Sequence, residues 1–185
     1  FPESCLYVGS LSKVLAPGLR LGFVVAPPAV YPKLLQARQA ADLHSPNLNQ
    51  RLAAEVLSVP GFLEEHLPRV RQLYKSQCQV MLAALQKHMP ESVTWNTPHG
   101  GMFIWLRLPE GIDSAAMLPR AVAKGVAYVP GAIFYDASPD VRNIRMSFVT
   151  ASAEQIDKGV RLLAETIKEE LAQGKAQVAA DGAQG

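Results

Sequence analysis

The 185-residue sequence predicts a mixed α/β fold built in two parts. Residues 1–60 contain two short β-prone runs followed by helical segments, as at the end of a layered α/β domain. Residues 61–88 form one long helical pattern that is predicted to connect the two parts. Residues 89–173 alternate short strands with capped helices, as in a small α+β domain. With 49% hydrophobic residues, the chain can bury a sizeable core.

The N-terminal part is predicted to contain two buried strands and two helices, because apolar β-prone runs precede segments with helical periodicity. Pro27 and Pro28 end the second strand, and Ser45 is predicted to cap the second helix. The four predicted elements, in chain order, cover residues 5–10, 20–28, 30–43 and 46–59.

The C-terminal part begins with the longest helical pattern, in which apolar residues recur at spacings of three and four from Leu63 to Leu85. Pro68 is predicted to kink or restart this helix. Asp113 or Ser114 caps a later helix, and Ser152 with Gln155 forms a capping box for the last one. The predicted strands cover 93–97, 102–108, 126–131 and 143–149, the helices cover 113–125 and 153–171, and residues 174–185 are predicted to be a disordered tail.

Composition excludes several classes of function. The net charge of +2 gives no reason to expect a nucleic-acid partner. No apolar run approaches the ~20 residues that span a bilayer, and no signal peptide is evident. Cys5 and Cys78 are predicted to be buried thiols of a cytoplasmic protein. The four histidines lack metal-ligand spacing, so no metal site is expected.

The segment SLSKVLAPGLRLG, at residues 10–22, concentrates the chemistry of the sequence. Ser10, Ser12 and Arg20 supply hydroxyl and guanidinium donors that suit a phosphate, and Pro17-Gly18 allows the backbone to bend between them. Lys13 adds an amine that can form a Schiff base with an aldehyde. Because pyridoxal 5′-phosphate carries both an aldehyde and a phosphate, it is the predicted cofactor. The alternative is a solvated surface turn with ordinary charges.

The same segment resembles the cofactor-lysine motif of the fold-type I pyridoxal-phosphate aminotransferases of class I/II. The segments ADLHSPNLNQ, GGMFIWLRLPEG, GVAYVPGAIFY and NIRMSF follow in the order of that family. They are most similar to its branch acting on 2-aminoadipate, aromatic and branched-chain amino acids. The resemblance covers about residues 5–172. It implies the end of a large cofactor-binding domain (1–60) followed by a small C-terminal domain (89–173).

The resemblance also implies roles for individual residues. Lys13 would form the Schiff base and carry the proton between the substrate and the cofactor. Ser10, Ser12 and Arg20 would bind the cofactor phosphate. Family members hold the pyridine nitrogen with an aspartate, stack an aromatic residue on the ring and close the phosphate site with a Gly- or Ser-containing loop. All three features precede the lysine. None of these is present here, and the chain begins without methionine directly before a strand, so we expect that a large N-terminal part is absent from this sequence.

Arg145 is the predicted substrate-binding residue. In RNIRMSFV the residues alternate, so that Arg145 shares a strand face with Asn143 and Ser147, opposite three apolar side chains. An arginine in such a strand needs a partner, and the family binds the substrate carboxylate with an arginine at this position. The alternative is a salt bridge to a nearby acid. Arg142 is predicted to be exposed, and Arg107 to be an edge or surface charge.

Weaker candidates lie elsewhere in the chain. Asn47 and Gln50 either border the site or cap a helix on the surface. Core packing is the expectation for the aromatic residues of the segments MFIWL and PGAIFY, namely Phe103, Trp105, Phe134 and Tyr135.

The predicted function is a transaminase that exchanges an amino group between an amino acid and a 2-oxo acid. The resemblance implies a homodimer. A second reading is the aminotransferase-like effector domain of a winged-helix transcription regulator, because such regulators keep a similar lysine motif. A third is a β-lyase or decarboxylase on the same scaffold. A basic helix-turn-helix segment before this chain would favour the regulator.

Overall fold

The computed structural model describes residues 2–182, with side chains described for residues 3–174. The described residues divide into two compact units at the boundary between Val70 and Arg71, called here the N-terminal unit and the C-terminal unit. The strands and helices in chain order are β1 (Tyr7–Ser10), β2 (Gly22–Val25), α1 (Tyr31–Asp42), α2 (Asn47–Leu57), α3 (Phe62–His88), β3 (Thr94–Trp95), β4 (Phe103–Arg107), α4 (Ser114–Ala123), β5 (Val129–Pro130), β6 (Asn143–Ser147) and α5 (Ala153–Gly182). This order confirms the predicted mixed α/β fold.

The N-terminal unit contains an antiparallel pair of strands, β1 and β2, in which Ser10 lies opposite Gly22. Both strands were predicted to be buried, and this is wrong: Tyr7, Val8 and Val25 are 64%, 71% and 61% exposed. The physical reason is that the described chain forms a sheet of only two strands here. A two-stranded ribbon has no further layer to cover its apolar side chains.

The helices of the N-terminal unit follow their predicted positions, but two details differ. Pro46, not Ser45, occupies the position before α2, and it provides no side-chain cap. The Ser45 hydroxyl instead accepts a hydrogen bond of 2.8 Å from the Arg38 guanidinium. Helix α3 is one continuous helix through Pro68, so it does not restart there.

The C-terminal unit is built on a four-stranded antiparallel sheet with the order β3-β4-β6-β5. Ile104 and Leu106 of β4 and Ile144 of β6 are fully buried, as the alternation predicts. They pack in one cluster with apolar residues of three helices, among them Met81 and Leu85 of α3, Met117 and Ala121 of α4, and Ile156, Val160, Leu163 and Ile167 of α5. The core therefore lies on one face of the sheet.

The opposite face of this sheet, called here the open face, carries a short 3-10 helix at Gly131–Phe134. A Cβ atom at Gly131 would lie 2.5 Å from the Asn143 Cβ and 2.6 Å from the Trp105 Cζ3. Because real Cβ atoms do not approach so closely, only glycine lets this turn lie against the sheet. Gly131 thereby positions Phe134, the last residue of the 3-10 helix, and Tyr135, which follows it.

Two of the predicted helix caps are confirmed. The Asp113 carboxylate accepts hydrogen bonds from the N–H groups of Ala115 (2.7 Å) and Ala116 (3.2 Å). The Ser152 N–H donates to the Gln155 side chain (2.8 Å), and the Gln155 N–H donates to the Ser152 hydroxyl (3.2 Å). Each cap satisfies amide groups at a helix start that have no partner within the helix.

The end of the chain differs from its predicted disorder. Helix α5 continues to Gly182, so residues 174–182 are helical, and residues 183–185 of the predicted tail lie outside the described residues. The reason is helix propagation: a helix that packing has already formed extends residue by residue, and three of these nine residues are alanine, the residue with the highest helix propensity.

Two further findings concern the length and polarity of the helices and the burial of the two cysteines. None of the helices in residues 2–182 combines the length and the apolar character needed to cross a membrane. Cys5 is exposed and Cys78 is half-buried, so the prediction of two buried thiols is wrong for Cys5. Partial burial raises the pKa of the Cys78 thiol, because it disfavours the charged thiolate.

We predict that Gly131→Ala destabilises the chain by about 1–3 kcal/mol, because the added methyl group must displace Asn143 and Trp105. Gly159→Ala in α5 is the matched control: its new Cβ would meet no atom within 4 Å, and alanine in a helix gains about 0.5–1 kcal/mol over glycine. Urea denaturation followed by circular dichroism measures both. A Gly131→Ala chain as stable as the wild type contradicts the close approach.

Candidate functional site

The loop that joins β1 to β2 carries the predicted lysine. We call residues 11–21 the lysine loop. The Leu11 N–H donates to the Leu21 carbonyl (3.0 Å), which closes the loop directly beyond the strand pair. The N–H groups of Leu15 and Ala16 both donate to the Leu11 carbonyl, at 2.9 and 3.1 Å. Lys13 therefore lies at the apex of a tight turn, and its side chain is exposed.

The predicted phosphate ligands lie on this loop or at its edge. The Ser12 N–H donates to the Ser10 hydroxyl oxygen at 3.2 Å, so these two residues are held side by side. Arg20 has a left-handed backbone with φ of 52°, and both its N–H (3.3 Å) and its guanidinium (3.4 Å) donate to the Pro17 carbonyl. The structure places Ser12, Lys13 and Arg20 on the lysine loop and Ser10 at the end of β1 directly before it. Their role as cofactor ligands stays a prediction.

The charge of the loop suits an anion. No acidic residue occurs between Ser4 and Ala41, a stretch that includes Lys13 and Arg20. Within the described residues neither of these two cations forms a salt bridge. Hydroxyl and guanidinium groups are donors that phosphate oxygens accept, and an amine can form a Schiff base with an aldehyde. The residues present therefore fit a cofactor that carries both groups.

Sequence reasoning missed Asn49, the residue of α2 that braces the lysine loop. Its side-chain amide donates to the Leu19 carbonyl at 3.1 Å, directly before Arg20. The two residues that the sequence suggested at the border of the site make no such contact. Asn47 is exposed, and the Gln50 amide donates to the Ser45 carbonyl at 2.7 Å. No local signal separates Asn49 from Asn47, because the contact joins residues 30 positions apart.

Arg145 lies on β6 in the C-terminal unit, opposite Trp105 and Val129 in register. Its guanidinium carbon lies 4.1 Å from the centre of the Phe103 ring and 4.6 Å from that of the Phe134 ring. The Nε atom is buried and has no hydrogen-bond partner. Among the described residues Arg145 has no carboxylate partner, so the predicted alternative of a salt bridge is not what the structure shows.

The two other arginines of this region are paired. Asp140 accepts hydrogen bonds from Arg142 at 2.9 and 3.0 Å and from Arg107 at 3.1 Å. Arg142 is half-buried rather than exposed as predicted, because its guanidinium closes on Asp140. Its hydrogen bonds lower the pKa of the Asp140 carboxyl to about 2. Arg107 stays largely exposed, in agreement with its prediction as a surface charge.

The aromatic residues near Arg145 are not core residues, which corrects the prediction for them. Phe134 and Tyr135 are 47% and 43% exposed, and Phe103 and Trp105 are half-buried on the open face. The Phe134 ring meets Trp105 edge to face at 5.5 Å, and the Tyr135 hydroxyl accepts a hydrogen bond of 2.7 Å from Asn143. The cause is the close approach at Gly131, which places this turn over the open face instead of the core.

Comparison with known proteins places these features in a family context. The family model described as "Aminotransferase class I and II" matches residues 2–163. The aromatic-amino-acid aminotransferase 1 of Thermococcus litoralis is 46% identical over 167 residues, which cover 90% of this chain and 40% of that relative. The first three curated relatives are covered over only 40% or 41% of their own length.

A solved structure and a relative of another class extend this comparison. The crystal structure of LysN, an alpha-aminoadipate aminotransferase from Thermus thermophilus complexed with N-(5′-phosphopyridoxyl)-L-leucine, matches with a TM-score of 0.84 at 44% identity, over 91% of this chain and 43% of that one. YdfD of Bacillus subtilis, an HTH-type transcriptional regulator by name, is 38% identical over 164 residues, or 89% of this chain and 33% of its own length.

We predict that Asp140→Asn lowers the free energy of unfolding at pH 7, because two guanidinium groups lose their partner. The folded pKa of Asp140 lies below the ordinary 3.8, so this contribution is full above pH 4 and is lost as the pH falls through about 2. The difference in the free energy of unfolding between the wild type and the variant should therefore become smaller as the pH is lowered. Urea denaturation from pH 7 to pH 2 measures it. Asp136→Asn, an exposed acid of the same loop, is the control, and an equal loss in both variants argues against the pairing.

Proposed function

We propose that this chain, which belongs to the class I and II aminotransferases, is the C-terminal part of a transaminase that moves an amino group between an amino acid and a 2-oxo acid. The observation that carries this proposal is the state of Arg145. Arg107 and Arg142 share Asp140, whereas Arg145 has a carboxylate partner nowhere in the described residues. A guanidinium kept free in this way suits the carboxylate of an incoming substrate.

The proposed cofactor is pyridoxal 5′-phosphate, which when bound supplies the electron sink for the reaction. Lys13 would hold it through the amine at the apex of the lysine loop. Ser10, Ser12 and Arg20 would bind its phosphate with two hydroxyl groups and one guanidinium. Once the substrate amine has replaced it on the aldehyde carbon, the Lys13 Nζ atom would be free to accept the proton from the substrate Cα and to donate it to that cofactor carbon, since one amine next to both positions serves as base and acid.

We propose the following division of the chain. Residues 1–60 are the end of the large cofactor-binding domain, residues 61–88 are the connecting helix, and residues 89–173 are the small C-terminal domain. The exposed apolar side chains of β1 and β2 support this division, because a strand pair of this kind needs further strands and helices to cover it.

The remaining proposals concern assembly and location. We propose a homodimer and a cytoplasmic location for the complete protein. The support for a reducing compartment is that Cys5 and Cys78 are both free thiols. The proposed substrates are small amino acids and 2-oxo acids. The relatives named for aromatic amino acids and for 2-aminoadipate indicate two substrate classes to assay first.

A second candidate function is the effector domain of a transcription regulator, favoured by the 38% identity to YdfD. The two candidates differ in the residues that precede this chain in the complete protein. A basic helix-turn-helix segment there, with salt-sensitive DNA binding and no transamination, supports the regulator. Turnover of an amino acid and a 2-oxo acid by the purified protein supports the enzyme.

We predict that Lys13 is the only lysine of this chain that bonds covalently to the cofactor. Borohydride reduction of the loaded complete protein, followed by peptide mapping, should find a pyridoxyl group on Lys13. Lys13→Ala should abolish this labelling, whereas Lys33→Ala should leave it unchanged. Lys33 is a matched control because it lies in the same unit and its amine already donates to Gln36 at 3.2 Å. Labelling of Lys33 in place of Lys13 would refute the assignment.

We predict that Arg145→Ala raises KM for both the amino acid and the oxo acid by roughly 30-fold or more, because the substrate carboxylate loses its charged partner. Cofactor loading, measured by the visible absorbance of the desalted protein, should stay as in the wild type. Arg161→Ala is the control, since Arg161 pairs with Glu165 on the surface of α5. Unchanged KM and kcat/KM in Arg145→Ala would disprove the role.

A further inference from the structure

An arginine that has to bind an incoming carboxylate cannot be held in place by a carboxylate of its own protein. Asp140 illustrates why: it takes up the donors of Arg142 and cancels its charge. An aromatic ring attracts a cation through its electron-rich face and accepts none of the guanidinium hydrogen bonds that a carboxylate would use. Ring contacts therefore fix a guanidinium and leave its charge and its donors available.

The Arg145 guanidinium is contacted by two aromatic rings and by no carboxylate of the described residues, and the two rings belong to different elements. Phe103 belongs to β4 and lies on the open face beside Arg145. Phe134 ends the 3-10 helix that Gly131 allows to lie on the same face, and its contact with Trp105 limits its movement. The Phe134 ring is nevertheless 47% exposed, which gives little stability for so large an apolar group.

We propose that Phe134, together with Phe103, is a positioning residue that holds the Arg145 guanidinium for the substrate carboxylate. We call the two rings the aromatic clamp. The clamp restricts the side-chain rotations of Arg145 before the substrate arrives, so less entropy is lost on binding. It also removes water from part of the guanidinium, as the buried Nε atom indicates, and this strengthens the attraction to a carboxylate. The proposal rests on the proposed function, in which Arg145 binds that carboxylate.

The experiment measures binding without turnover. The probe is 3-phenylpropionate, which has a carboxylate but neither an amino nor an oxo group, and calorimetry on the loaded complete protein gives its Kd. Phe134→Leu should raise this Kd about 3- to 30-fold, the range expected for a partly desolvated cation–ring contact. Phe134→Tyr keeps a ring and should stay within about twofold. Ile133→Ala, the control, alters the 72% exposed neighbour in the same turn and should have no effect.

A double-mutant cycle with Arg145→Gln, which removes the positive charge, separates positioning from direct contact between Phe134 and the probe. If Phe134 acts through the guanidinium, Phe134→Leu should change the Kd less than about twofold once the guanidinium is gone. Thermal unfolding checks each variant, and Phe103→Leu provides a second test of the clamp if Phe134→Leu does not fold. In the transaminase assay the clamp variants should raise KM more than they lower kcat.

The outcomes distinguish the clamp from the function on which it rests. If Arg145→Gln binds 3-phenylpropionate as well as the wild type, or if the wild type does not bind it, the proposed role of Arg145 is wrong. If Arg145→Gln weakens binding but Phe134→Leu does not, only the clamp is wrong. An equal loss from Phe134→Leu in both backgrounds also overturns the clamp, because it shows that the ring acts independently of Arg145.

Discussion

The antiparallel pairing of β4 with β6 is the interaction on which the C-terminal unit depends. The register sets Ile104 opposite Met146 and Leu106 opposite Ile144, and the side chains of these four residues form the centre of the core. Because successive residues of a strand face opposite sides, the same register sends Arg145 to the open face. A shift of one residue would bury the arginine and expose the core, so the hydrophobic packing itself fixes the side of the sheet on which the candidate site lies.

The arginines around β6 have two kinds of partner. Arg107 and Arg142 converge on Asp140, and this pairing ties the end of β4 to the loop before β6. Arg145, two residues from the paired Asn143, is contacted by aromatic rings and has no acidic partner in the described residues. Ion pairing thus serves the scaffold, while the unpaired charge is the one proposed for substrate recognition. Removing a scaffold charge and removing the recognition charge should therefore affect different properties of the protein.

Local patterns explain which features were predictable from the sequence. Strand alternation predicted the buried face of β6, cap spacing predicted the Asp113 and Ser152 caps, and motif spacing grouped Lys13 with its neighbours. The errors have non-local causes. The exposure of Phe134 depends on the approach of Gly131 to Trp105, which only the folded sheet creates. Asn49 contacts a carbonyl 30 residues away, and the burial of Arg142 depends on how its loop closes on Asp140.

The left-handed backbone of Arg20 has an energetic consequence. A side chain with a Cβ atom costs roughly 1–2 kcal/mol in this conformation, whereas glycine adopts it freely. The turn would thus be more stable with glycine, and selection for stability alone would favour that replacement. The guanidinium group is what such a replacement would remove. Under the proposed role of Arg20 as a phosphate ligand, folding and recognition oppose each other at this position. A variant chosen only for heat resistance would tend to lose the proposed phosphate donor there.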